Sequence, residues 1–237
     1  MTAIVFIHGF MGCSRQFEGI ISRLEPLPSD VHIISHTLPG HGGDLAHFCK
    51  YGAKDWQRSV DTLLDRLRRE YGRIIIVGHS MGGLLSIRSA AENSDRIDHI
   101  FAVSLPLRLR LTVEGMHSRI RSVGRSKPGD TPQIIAAREM CGVEGVSALN
   151  SPLLLGRCID LLRVIAQTKK MLPRLTTPLT VINSAEDDIV SPSSLNRVKA
   201  LCPGARTVLL QRASHFWFPD DELDVIAELI KGSPLSF

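Results

Sequence analysis

Gly78-His79-Ser80-Met81-Gly82 sets a serine between two glycines. It follows the apolar run Arg73–Val77 and opens the apolar helical stretch Ser80–Glu92. In that context Gly-x-Ser-x-Gly predicts a tight, strained turn that lifts a serine hydroxyl above the carboxyl edge of a sheet. Gly78 and Gly82 leave room where side chains would meet the adjoining strand and helix. A helix N-terminus at Ser80 also favours negative charge. The chemistry so specified is nucleophilic attack. A serine hydroxyl attacks poorly until a base takes its proton, so an acid and then a histidine are expected further along the chain.

Both are present. Glu186, Asp187 and Asp188 follow one strand-like run, and His215 follows the last. Ligands of open α/β sheets bind at the carboxyl ends of the strands, so all these groups come from the correct edge. By chemistry alone the three acids are equivalent. An oxyanion hole is the remaining requirement. One donor is expected from the backbone N–H of Met81, the residue after the serine. The other is expected from the N–H of Phe10, in the loop His8-Gly9-Phe10-Met11-Gly12. Such donors contribute ~3–4 kcal/mol each to transition-state stabilisation.

The elements that must hold these groups are legible in the apolar pattern. Ile4–Ile7, Val31–Ser35, Arg73–Val77, Ile97–Val103, Pro178–Asn183 and Thr207–Leu210 read as strands. Most are continuously apolar, as strands covered on both faces should be. Lys54–Tyr71 carries Trp56, Val60, Leu63, Leu64, Leu67 and Tyr71 on one helical stripe. Ser14–Leu24, Ser80–Glu92, Ser191–Leu201 and Asp220–Ile230 also read as helices, with Ser14 and Asp220 as N-caps. This alternation predicts a doubly wound, mostly parallel α/β sheet. It stops after Val103. The segment 105–173, with helices expected at Thr131–Met140 and Pro152–Met171 (Ser151 as cap), reads as a helical lid inserted in a single domain spanning 1–237. Leu153–Leu155, Ile159, Leu161–Leu162 and Ile165 are expected to give that lid an apolar face over Ser80, suited to an acyl chain.

Composition narrows the classes. The chain has 237 residues and a formal charge of +4. Residues 107–174 carry +7, and the rest −3. Arg108, Arg110, Arg119, Arg121, Arg125 and Lys127 have no nearby aromatic residues to stack on bases, which argues against nucleic acid. They read as a solvated face or as a surface attracting anionic substrates. No apolar run is long enough to cross a membrane. The start lacks the features of a signal peptide. Cys13, Cys49, Cys141, Cys158 and Cys202 form no Cys-x-x-Cys. They fit free thiols in a cytoplasmic protein better than a disulfide framework or a zinc site. His32, His36, His41 and His47 lack the placement of metal ligands on one face. His8 and His79 read as structural. No cofactor or metal is expected, and the chain is read as a monomer or weak oligomer.

Together these features resemble the α/β-hydrolase superfamily, and within it the small carboxylesterases and monoacylglycerol-lipase-type serine hydrolases. The resemblance runs from the His-Gly-Phe-Met-Gly loop to the last helix and includes Leu38-Pro39-Gly40-His41-Gly42 and Asp55-Trp56. It implies Ser80, Asp187 and His215 as catalytic residues. Asp187 is chosen over its neighbours because the resembled esterases carry an apolar residue three positions on and a proline five on, here Val190 and Pro192. The family's leading hairpin is missing, since residue 4 already lies in the strand before the oxyanion loop, so about six strands are expected. The implied activity is hydrolysis of carboxylic esters, short to medium acyl esters or monoacylglycerols, through an acyl-enzyme. A lyase of the menaquinone-pathway type resembles the chain too, also with Leu-Pro-Gly-His-Gly and a small lid. A non-catalytic binding protein on the same fold is the remaining alternative.

Overall fold

The computed structural model describes residues 1–110, 128–147 and 149–233. Six strands form one parallel sheet: β1 (Thr2–Ile7), β2 (Val31–His36), β3 (Arg73–His79), β4 (Ile97–Val103), β5 (Leu179–Ser184) and β6 (Arg206–Leu210). Their order is β2-β1-β3-β4-β5-β6. The chain therefore leaves β1 toward one edge, returns, and builds the rest on the other side. Between β1 and β3 lies the topological switch point, where such sheets place ligands. Ile7 is in register with Gly78 there, so the two loops that follow start side by side.

Helices cover both faces. Alternation along β1 sends Ala3, Val5 and Ile7 into one core, with Trp56, Val60, Leu64 and Leu67 of α2 (Ala53–Glu70) and Leu84 of α3 (Met81–Glu92). Ile4 and Phe6 enter the other core, with Phe17, with Ile20 and Leu24 of α1 (Glu18–Leu24), and with Ile226 and Ile230. Further helices are α4 (Pro132–Glu139), α5 (Leu155–Met171), α6 (Ser193–Leu201) and α7 (Asp220–Lys231), with a single helical turn at Leu45–Phe48. A strand buried on both faces needs apolar side chains at every position, and all six residues of β1 are buried.

Several local expectations are corrected. Cys13 and Pro219, not Ser14 and Asp220, occupy the cap positions, and neither makes a side-chain cap. Ser14–Phe17 is a 3-10 turn running into α1. Ser151 opens another 3-10 turn, Ser151–Leu154, so α5 starts only at Leu155. At α4 the Thr131 hydroxyl caps the helix by accepting from Ile134 N–H at 3.4 Å. A second, two-stranded sheet pairs Gly43–Asp44 with Val143–Glu144, and the sequence offered no sign of it.

The apolar stripe expected over Ser80 is not one face. α5 packs its buried residues Val164, Ile165 and Thr168 inward, and the Thr168 hydroxyl contacts Leu84 O of α3 at 3.3 Å. Leu154 and Leu161 lean on the same core. Leu153, Leu155, Ile159 and Leu162 point outward and are exposed. A helix turns 100° per residue, so these leucines could not all share one side.

Candidate active site

Ser80 sits between β3 and α3 with φ 51° and ψ −115°, a conformation a non-glycine residue adopts only under constraint. Its N–H donates to Val103 O at 2.8 Å, which pins the turn to β4. The glycines do what the motif demands. A Cβ on Gly82 would lie 2.0 Å from Ile7 O, and one on Gly78 2.5 Å from Gly83 N. Backbone on both sides allows neither.

His215, on the loop after β6, is buried. Its Nδ1–H donates to Asp187, at 3.0 Å to Oδ2 and 3.2 Å to Oδ1. That leaves Nε2 as the unprotonated ring nitrogen. Asp187 lies on the loop after β5, where its Oδ1 also accepts from Ile189 N–H at 2.8 Å and Val190 N–H at 2.7 Å. Burial pushes its carboxyl pKa up, but the electrostatic interaction with the His215 ring and these hydrogen bonds outweigh it and hold the group below its ordinary value. Asp187 is thus an ionised acceptor. Asp188 serves differently: its Oδ1 accepts from the His215 backbone N–H at 3.2 Å. Among the described residues no hydrogen bond joins Ser80 Oγ to His215.

The loop after β1 is shaped by two buried histidines. His8 donates from Nδ1 to Gly9 O at 2.9 Å and accepts Leu38 N–H on Nε2 at 3.0 Å. His41 accepts Met11 N–H at 3.1 Å and donates from Nδ1 to Pro39 O at 3.2 Å. Gly9 N–H is taken by Gln16 Oε1 at 3.1 Å. Among the described residues Phe10 N–H makes no hydrogen bond, whereas the N–H groups of Gly9, Met11 and Gly12 do. Met81 N–H, first in α3, has no intrahelical acceptor. Among the described residues, one donor on the loop after β1 and one at the start of α3 are thus left without an acceptor. Phe10 itself packs edge-on against Phe48 and Trp56.

Four supporting residues escaped the sequence reading. His79 donates from Nε2 to His215 O at 2.8 Å, with the two rings 4.8 Å apart. Glu222 of α7 accepts from Gln211, Arg212 and Ala213 N–H groups at 2.8–2.9 Å, which fixes the approach to His215. Arg110 donates to Ala185 O at 2.9 Å and to Asp187 O at 3.3 Å. Gln16 anchors the loop after β1. Only Glu222 left a signal: it falls on the buried stripe with Ile226 and Ile230, where a carboxylate needs partners. From the sequence His79 reads as structural packing and Arg110 as part of a charged face.

His32 meets the Tyr71 hydroxyl and His36 the Ser59 hydroxyl. Among the described residues none of the five cysteines forms a disulfide. Among the described residues no helix is long and apolar enough to cross a membrane. Of the basic run, Arg119, Arg121, Arg125 and Lys127 lie outside the described residues.

A parallel sheet with a strained serine at its switch point defines an α/β-hydrolase architecture. The chain belongs to the alpha/beta hydrolase family, whose model matches residues 4–229. It is 24% identical over 191 residues to a thermostable monoacylglycerol lipase of Bacillus sp. (strain H-257), covering 81% of this chain and 72% of that one. It is 24% identical over 236 residues to the 2-(acetamidomethylene)succinate hydrolase of Mesorhizobium japonicum, covering 90% and 81%. In fold it resembles the monoacylglycerol lipase of Paleococcus ferrophilus, with a TM-score of 0.68 at 19% identity over 96% of this chain and 93% of that one.

Proposed function

We propose that this chain is a serine hydrolase of carboxylic esters that works through an acyl-enzyme. The observation that carries the reading is the Asp187–His215 pair, joined at 3.0 Å through Nδ1, on the same sheet edge as Ser80. With its proton on Nδ1, His215 presents Nε2 to remove the proton of Ser80 Oγ, which attacks the ester carbonyl. Asp187 holds that tautomer and stabilises the imidazolium that forms. The carbonyl oxygen becomes an anion between the N–H groups of Phe10 and Met81, helped by the N-terminus of α3. His215 then protonates the leaving alcohol. Water, activated by the same nitrogen, releases the acid. Every step is proton transfer or acyl transfer carried by side chains and backbone of this chain. The substrates that suit it are short to medium acyl esters and monoacylglycerols, in keeping with the lipase among its relatives.

The test is a panel of p-nitrophenyl esters from acetyl to lauroyl, together with monoacylglycerols. Turnover is expected for the wild-type chain, with fluorophosphonate labelling at Ser80. Ser80→Ala should lower kcat by about 10⁶, as nucleophile loss does in a serine protease. Ester turnover retained above a few per cent in that variant would sink the assignment. Labelling without any ester turnover would instead favour a lyase on the same residues.

A further inference from the structure

We propose that the cleft between the start of α2, the middle of α3 and α5 binds a small phosphate-bearing molecule, apart from the Ser80 site. The cleft has a volume of about 450 Å³, and its charged lining is Lys54, Asp55, Arg88, Arg157, Asp160 and Arg163. None of these belongs to the set around Ser80.

Four cations face two carboxylates, and both carboxylates are already engaged. Asp55 accepts Gly52 N–H at 3.0 Å. Asp160, buried, is shared by Arg157 at 3.2 Å and Arg163 at 3.1 Å. Arg157 is also tied to Tyr51 O. Arg88 and Lys54 are left with neither a hydrogen bond nor an ion pair among the described residues.

Arg88 is the informative member, because it is only partly exposed. Burial pulls its pKa down, and Glu92 and Asp61 act on it only through space. Asp61 is itself occupied by Gln57 and Ser89. A guanidinium that loses hydration without gaining acceptors costs stability. An anion arriving from solvent supplies those acceptors. Arg88, with the solvent-exposed Lys54 beside it, matches one phosphomonoester, which carries about −1.5 to −2 charge at pH 7. A guanidinium also grips phosphate oxygens in pairs. The Gln167 side of the cleft then faces the uncharged remainder of the molecule.

Isothermal titration of the whole chain with inorganic phosphate at low ionic strength tests this. The variants are Arg88→Met and, as a control for general basicity, Arg58→Met, which lies in a different cleft. One saturable site is expected, weakened at least about tenfold by Arg88→Met and unaffected by Arg58→Met. Without phosphate, Arg88→Met should raise Tm, since it removes an unpaired charge, and it should leave ester turnover alone. The proposal is overturned by no saturable binding at millimolar phosphate, or by equal weakening in both variants, which marks a diffuse positive surface. Malonate binding more tightly than phosphate would overturn it as well. So would a fall in Tm for Arg88→Met, which would make the arginine structural. The binding readout does not depend on hydrolase activity, so the two readings fail separately.

Discussion

At the scale of residues, the proposal of Asp187 as the acid rests on which oxygen meets which nitrogen. Asp187 contacts His215 Nδ1, whereas Asp188 contacts the His215 backbone. Asp187→Asn puts an N–H donor opposite Nδ1–H, which favours the other tautomer and removes the base from Ser80. kcat should fall by ~10⁴. Asp188→Asn keeps an acceptor for the His215 N–H and should cost little. Steady-state kinetics of the two variants on one ester decides the matter, and the opposite ranking would refute the assignment. The proposal of Phe10 N–H as an oxyanion donor rests on its neighbours' hydrogen bonds. Gly9 and Met11 N–H groups are occupied, and Phe10 N–H is not.

At the scale of elements, the site depends on how closely the backbone packs. α3 begins against the end of β1, and a Cβ on Gly82 would lie 2.0 Å from Ile7 O. Gly82→Ala should therefore destabilise by about 1–3 kcal/mol or more, because the helix must shift. A urea-unfolding midpoint equal to wild type would contradict this. α7 acts through Glu222, whose two oxygens collect three backbone N–H groups before His215. Glu222→Gln keeps one acceptor but turns a donor toward Ala213 N–H. A loss of about 1–3 kcal/mol is expected, along with reduced ester turnover, as His215 loses its support. Thermal melts and kinetics on the same preparation would show whether the two fall together.

At the scale of the molecule, three buried histidines link folding to pH. Burial lowers the pKa of His8 to about 3, of His41 to about 4 and of His79 to about 3. In the unfolded chain all three return to about 6.5. Below that value the unfolded state binds more protons, so stability is full above about pH 7 and declines as pH falls. The slope is about 1.4 kcal/mol per pH unit for each histidine that charges only on unfolding. Asp187, with its lowered pKa, adds a loss at still lower pH, where its carboxylate is protonated. Tm should be level from pH 7 to 8 and drop clearly by pH 5. Equal midpoints at pH 5 and 7.5 would count against the buried, neutral histidines.

Much of this molecule was legible in its linear order. Continuous apolar runs gave strands covered on both faces, and their alternation with helical stripes gave the parallel sheet, because short-period patterns follow directly from backbone geometry. The Gly-x-Ser-x-Gly motif was readable because the glycines answer a local steric demand. Other features depend on partners far apart in sequence. That Asp187 rather than Asp188 meets the His215 ring depends on how two loop ends aim their side chains once β5 and β6 are paired. The outward turn of Leu153, Leu155, Ile159 and Leu162 depends on which side of α5 docks on α3. The cleft around Arg88 exists only because three helices converge there, and that Arg88 has no hydrogen-bond or ion-pair partner among the described residues follows from that convergence. The sequence determined the elements and their chemistry; the tertiary structure decided the pairings, because a hydrogen bond between residues 28 or 136 positions apart has no local signature.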